Sequence, residues 1–486
     1  MRRGPRLFLR SGHLAASNSH SHTMSIPYGS YMTYTVVVIV SYLGYVHLTR
    51  YSMIKATHLA YAKRHGLARP PPLRRGRDGH APTREQYPMT PAEAQAILTP
   101  GAEFDMPFTI TKALEFALFL TYGIETISDV LLSSAEFTDM DKAGRRYVDT
   151  NVLIGSFIRY PMVGPGSGVV ESAGPLDPRG AIAIARINLQ HSHYKVITNS
   201  DLLYTLSTFI REPALWAHRF EWRCLTPLEE QAWHVFFSEV GRRMGIEEIP
   251  VELQEMLDWS EAYEEENMLP NEKSRKVAEA TTDLLLFNVP NFLKNGGRIV
   301  VSTLMMDRLR AAVKAPQPPA WLTSFVHSAF HMRAFVIRHL FPPRPESMGF
   351  NTVPHPREYP AFPPGYRYEA SADDEQLSKL DKASDRYAPM SHPPSYMNEP
   401  WYMPIPSTPW MWLQKGLIMI GMAHPRSIPS KEFQPEGYRL ETMGPRKYEG
   451  KEVDEVRRRA EKIQGGKLEG PYAVGGTPRA RCPFAM

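Results

Sequence analysis

Cysteine is nearly missing, with only Cys224 and Cys482 in 486 residues. Two thiols cannot make a disulfide framework, a four-cysteine zinc site or an iron–sulfur cluster within one chain, and such scarcity fits an intracellular body. Any metal must therefore rely on histidine, carboxylate or a macrocycle. Net charge is small too: 56 basic against 51 acidic side chains leave +5, much of it before Arg84, which argues against a nucleic-acid surface. No Glu-x-x-His occurs, so a carboxylate-bridged di-iron bundle has no basis. The P-loop, the Gly-x-Ser-x-Gly elbow and the His-Glu-x-x-His zinc helix are missing as well, which removes the usual grounds for a hydrolase. GPGSG at 164–168 follows no clear strand and reads as a flexible loop. What is present is 43% hydrophobic and 11% aromatic residues, enough to build a core and to exclude a wholly disordered or fibrous chain.

Long apolar runs are also scarce, with one exception. No charged residue other than histidine lies between Arg10 and Arg50, and within that gap 28–48 is long enough to cross a ~30 Å hydrocarbon layer, with tyrosines at both ends. It reads as a single transmembrane helix. The preceding 1–27 carries Arg2, Arg3, Arg6 and Arg10 with serines and no acid. That is either a mitochondrial presequence or an extension upstream of a start at Met24. Positive charge follows the span at Arg50, Lys55, Lys63 and Arg64, which places the body on the cytosolic side if Met24 is the start.

The stretch 49–90 is basic and proline-rich and reads as a solvated linker. From 91 to 345 apolar residues recur at helical spacing, as in 112–122, 201–210, 228–244 and 323–340, while strand-like alternation is scarce. Ser200 or Asp201 can cap one of these helices, and Pro227 with Glu229 and Glu230 suits the first turn of another. The fold class is mainly α. Over 346–486 proline density rises, predicting an irregular extension wrapped on the core, with 410–422 as either a packed helix or an interfacial contact beside the anchor.

Three polar constellations stand out. His327 and His331 share one helix face, with His339 two turns on, and read mainly as ordinary helix histidines and secondarily as a metal pair. In AIAIARINLQHSHY, residues 181–194, Ile184, Ile187 and His191 form one stripe, so His191 enters the core as a satisfied histidine or as an axial ligand to a haem iron. His193 points away on the opposite side. In RRYVDTNVLIGSFI, residues 145–158, Arg146, Asp149 and Thr150 share a face continued by Leu153 and Ile154. This is either a surface ion pair beside a threonine or a pocket whose Arg146 and Thr150 donate hydrogen bonds to dioxygen.

RRYVDTNVLIG, ARINLQHSHY, SDLLYTLSTF, FEWRCLTPLEEQA, LLLFNVPNFL, MMDRLRAA, QPEGYRLETMGP and RCPF occur in that order between 89 and 484. Together they resemble the ER-bound oxygenases of mycophenolic acid biosynthesis, the MpaB family, which belongs with the rubber oxygenases, or latex-clearing proteins. The resemblance implies a globin-like helical core binding one haem b and cleaving a carbon–carbon double bond of a prenylated or polyprenyl substrate with dioxygen. It implies His191 as the metal ligand, Arg186 nearby, Arg146 and Thr150 over the haem, and Arg310 or Arg308 as a further haem-region arginine. Asp149 stands where the rubber enzymes have lysine, and Asn188 where they have arginine, so the distal pocket and propionate contacts differ. The expected setting is the ER membrane, with the mitochondrial membrane as the alternative. A haem protein with a peroxidase-like or sensor role, or a non-catalytic membrane scaffold, are the competing readings.

Overall fold

The computed structural model describes residues 28–75, 80–134, 140–169, 177–345, 348–349, 391–393 and 399–468. The tail 1–27, the RCPF run and most of 346–398 lie outside them. The chain is mainly helical, and no strand occurs among the described residues.

Helix α1, Tyr28–Thr49, is long and apolar enough to cross a membrane, and its side chains stay exposed until Val46. A turn then leads directly into α2, Ser52–Arg64. The basic stretch after the anchor is therefore not a solvated linker throughout. Ile54, His58, Tyr61 and Ala62 of α2 are buried, and Ala81 and Tyr87 join the largest apolar cluster. Composition averaged over 49–90 hides this packed face, because the basic and proline-rich residues from Lys63 onward outweigh the apolar ones of α2. Arg50 fixes the junction, its guanidinium 3.9 Å from the centre of the Trp222 ring and donating to the Pro342 carbonyl at 3.2 Å.

The body is a stack of helix pairs. α3 (Pro91–Pro100) packs on α9 (Pro227–Arg243), and α4 (Pro107–Thr121) on α8 (Asn199–Phe220). α6 (Met140–Arg159) packs on α7 (Arg179–Ser192), with α5 (Glu125–Ser133), α10 (Leu253–Asn267) and α11 (Glu272–Leu285) closing the sides. α12 (Lys294–Ser302), α13 (Asp307–Ala312) and α14 (Ala320–Leu340) complete this part.

Local chemistry sets the starts. Thr90 and Thr226 cap α3 and α9, each followed by proline in the first turn, where a missing N–H costs nothing. α8 is capped by Thr198 rather than by Ser200 or Asp201: Asp201 is the reciprocal partner three residues in, making a full capping box. GPGSG is an ordered turn. Gly164, Gly166 and Gly168 all have φ near +80°, and the Ser167 carbonyl accepts from the Ala92 amide at 3.0 Å.

The C-terminal part contains α15 (Thr408–Met419) and α16 (Val453–Gln464), joined by irregular segments. α15 shows its apolar side chains to the outside, whereas α16 packs on α7 and buries Val456, Ala460 and Gln464. α16 has no counterpart in the sequence reading of this region as irregular.

Candidate active site

The stripe of α7 and the polar face of α6 meet across one cavity of about 450 Å³, within the ~300–1,000 Å³ typical of ligand pockets. Its wall is mostly apolar, with Phe119, Leu206, Phe209, Phe237 and Phe330 among the lining side chains. His191, Arg146 and Thr150 all line it, so the structure brings together three residues that the resemblance groups in one site.

His191 is enclosed by protein, and what exposure it keeps is to the cavity. Burial first, and then the positive charge of Arg146, pull its pKa down to about 4. Its ring bonds to no described residue. A neutral imidazole without a protein partner, at the wall of an apolar cavity, is the donor that an iron porphyrin needs, so the residues fit a haem. His193 does turn away: its Nε2 lies 2.9 Å from Glu452 and its ring stacks on Tyr448 at 4.1 Å.

A second polar group lies beside Arg146 and was not singled out in the sequence. Tyr147 lines the cavity with Glu115 and Lys112, whose ammonium lies 2.7 Å from the Glu115 carboxylate. Burial first, then the Glu115 charge, drive the Tyr147 phenol well above its ordinary value. Tyr122 and Thr281 line the same wall, and burial raises the Tyr122 phenol while Arg146 opposes the shift. The signal for this group was only the helical phase of 112–122.

Asp149 lines the cavity too, but its carboxylate is engaged by neighbours from the C-terminal wrap and by Arg145. Its Oδ1 accepts from the Tyr402 hydroxyl at 2.7 Å, and its Oδ2 lies 3.7 Å from Arg145 Nε. Burial pushes its pKa up to about 6, against the pull of Arg145 and the Tyr402 hydrogen bond. Arg145 continues to Glu449 at 2.7 Å and lies 5.2 Å from the centre of the Trp401 ring. Asp149 thus joins the cavity helix to the C-terminal wrap.

Arg186 serves the same junction. It is almost fully buried, and its guanidinium donates to the carbonyls of Met443, Tyr448 (2.8 Å) and Lys451 (3.1 Å). Gln190 adds a bond to the Met443 carbonyl at 3.1 Å. Arg186 is not part of the cavity wall, because backbone carbonyls of the wrap take its donors. Pro445 and Tyr448, from the same wrap segment, do line the cavity.

Arg310 is also occupied elsewhere. It donates to the Ser302 and Met305 carbonyls and to Asp307 and Gln317, tying the α12–α13 turn, and it does not line the cavity. Arg308 reaches Glu265 at 3.0 Å. His327 and His331 bond to different carbonyls, those of Thr303 at 3.4 Å and Arg219 at 3.0 Å. Among the described residues no group of three or more His, Cys, Asp or Glu is placed to hold a bare metal ion.

No family model matches the chain. It is similar to three curated proteins. One, named ER-bound oxygenase mpaB' of Penicillium brevicompactum, is 33% identical over 424 residues, 83% of this chain and 87% of that protein. ER-bound oxygenase mpaB of Penicillium roqueforti (strain FM164) is 36% identical over 248 residues, 48% of this chain and 79% of that protein. ER-bound oxygenase mpaB of Penicillium brevicompactum is 32% identical over 288 residues, 56% and 64% of the two chains.

Proposed function

The chain belongs to the family of the ER-bound oxygenases MpaB, and from that premise we propose that it is a membrane-anchored haem oxygenase. Its reaction is cleavage of a carbon–carbon double bond in a prenylated or polyprenyl substrate by dioxygen. The names of the relatives support the oxygenase role. The observation that carries the haem reading is His191, neutral and without a ring partner among the described residues, in one apolar cavity with Arg146 and Thr150.

A bound haem b supplies iron, the centre at which dioxygen becomes reactive. His191 holds that iron from α7, and its lowered pKa keeps the ring neutral, and so able to ligate, throughout the neutral range. Arg146 and Thr150, one turn apart on α6, donate hydrogen bonds to the oxygen substrate and stabilise charge that develops there. The prenyl chain lies along the phenylalanine-rich wall, where each buried methylene contributes about 0.8 kcal/mol. That wall also excludes water, which strengthens the Arg146 hydrogen bond. Asp149 acts as a positioning residue, through Arg145 and Tyr402. Arg186 and Arg310 shape the protein around the site without touching the ligand.

Helix α1 crosses the ER membrane once, with the body on the cytosolic side, where the lysines and arginines after Thr49 favour it. Prenyl chains partition into the same bilayer, so anchor and substrate share a phase.

The test is the absorbance spectrum and iron content of the purified full chain, before and after haem reconstitution. A Soret band that holds its position from pH 8 to pH 5 and disappears in His191→Ala is expected, together with oxygen-dependent cleavage of a farnesylated phenol by the wild type alone. A wild type that takes up no haem would overturn the cofactor reading, and a band that survives His191→Ala would overturn the ligand.

A further inference from the structure

Outside the cavity, the most unusual feature is where large apolar side chains face outward. On α14, Trp321, Phe325, Met332 and Phe335 are all more than half exposed. At 100° per residue they fall within an arc of about 80°. On α15, Trp410, Leu413, Leu417 and Ile420 make a second exposed stripe of similar width. Phe292 and Leu293, in the turn before α12 and ahead of both helices in sequence, are exposed as well.

These surfaces are linked to the anchor. The Tyr42 hydroxyl of α1 donates to the Leu340 carbonyl at the end of α14 at 2.8 Å, and α1 packs along α14. α14 packs on α12, whose following residue Thr303 accepts from His327. At the other end of α12, its first residue Lys294 acts electrostatically on His424, which follows α15 and lies 4.3 Å from Phe287, ring to ring. Tyr42 stands seven residues before Thr49, so the end of α14 meets α1 about 10 Å along the span from its exit, at 1.5 Å per residue. Interfacial helices embed by roughly 5–10 Å, which matches.

We propose that the outer faces of α14, the 291–293 turn and α15 form a monotopic membrane seat, immersed in the same leaflet as the exit end of α1. The inference rests on α1 being the anchor. The occupant is lipid. Tryptophan at two stripe positions, with Lys415 beside Trp412 and Arg338 at the end of α14, suits a headgroup boundary. The seat also shares a wall with the cavity, since Phe330 of α14 lines the cavity while Trp321, Phe325 and Met332 face outward.

Tryptophan reports on this surface without interference from the anchor, because α1 contains none and three of the eight tryptophans are exposed on α14 and α15, Trp321 and Trp410 on the two stripes and Trp412 beside the second. The experiment reconstitutes the full chain into phosphatidylcholine vesicles with and without brominated acyl chains. Bromolipid should quench wild-type fluorescence, and the Trp321→Phe/Trp410→Phe/Trp412→Phe variant should lose most of that quenching with an unchanged circular dichroism spectrum. Trp321→Phe alone should lose part. Vesicle-bound protein whose quenching does not differ from the triple variant would overturn the seat, for instance because a second copy covers the face. Protein that fails to sediment with vesicles at all would instead overturn the anchor reading, and the seat with it.

Discussion

Arg186→Met removes one guanidinium and leaves a side chain of similar length, so it tests what that buried arginine does. In the wild type three carbonyls, from Met443, Tyr448 and Lys451, accept from it. Hydrogen bonds to a charged group contribute about 1.5–3 kcal/mol each, so the gross loss is roughly 5–9 kcal/mol. The bonds to Tyr448 and Lys451 are only partly buried, and water entering there recovers a share, leaving a net loss of about 3–5 kcal/mol. Urea unfolding in detergent, followed by tryptophan fluorescence, measures it. Limited proteolysis should show the region after 434 cut first, because the latch that holds it is gone. Haem content should fall only as far as the fold does. A stability loss below about 1 kcal/mol accompanied by complete loss of haem would refute this account and return Arg186 to the cofactor.

Asp149→Asn probes the buried carboxyl. Its folded pKa of about 6 exceeds the ordinary 3.8, so between those values the native state holds a proton that the unfolded chain has released. Wild-type stability should therefore fall relative to Asp149→Asn as pH rises from about 4 to about 6, by at most about 3 kcal/mol at 1.36 kcal/mol per unit. Parallel denaturation curves across that range would sink the idea. Gly144→Ala should lower thermal stability by roughly 1–3 kcal/mol, because the added methyl would collide with the carboxylate of Glu399, which has no exposed surface. Gly416→Ala, inside α15 with open space around it, should instead be neutral or stabilising by up to about 1 kcal/mol. Equal melting shifts for the two variants would contradict both.

Much of this architecture was legible because it rests on local rules. The anchor follows from a charge gap, α9 from Pro227 with Glu229, and the inward position of His191 from the period of Ile184 and Ile187. What was not legible depends on partners far away in sequence. α16 reads as a charged run, EVRRRAEK, because its buried face needs only Val456, Ala460 and Gln464 against α7. The segment after α1 looks like a linker because the basic, proline-rich residues that follow α2 dominate its average composition. Arg186 was expected beside a cofactor because the resemblance places an arginine on the helix of the ligand histidine. Its partners are carbonyls, which leave no trace in side-chain pattern. The QPEGYRLETMGP run, by contrast, was noticed as a signature without a role, and in space it leads into the segment that latches α6 and α7.

That latch also imposes an order on synthesis. Arg186 and the Met443 carbonyl it holds are 257 residues apart. At ~5–20 residues per second, a nascent chain carries α7 and its histidine for on the order of ten to fifty seconds before the segment that finishes the pocket exists. Throughout that interval the wall contributed by Pro445 and Tyr448 is missing, and Arg186 has no carbonyls to bind. α1 emerges early and the closing segment late, so the apolar helix is available to a bilayer well before the cavity can enclose a ligand. A ligand of the cavity can therefore be enclosed only after the segment around Met443 has been made.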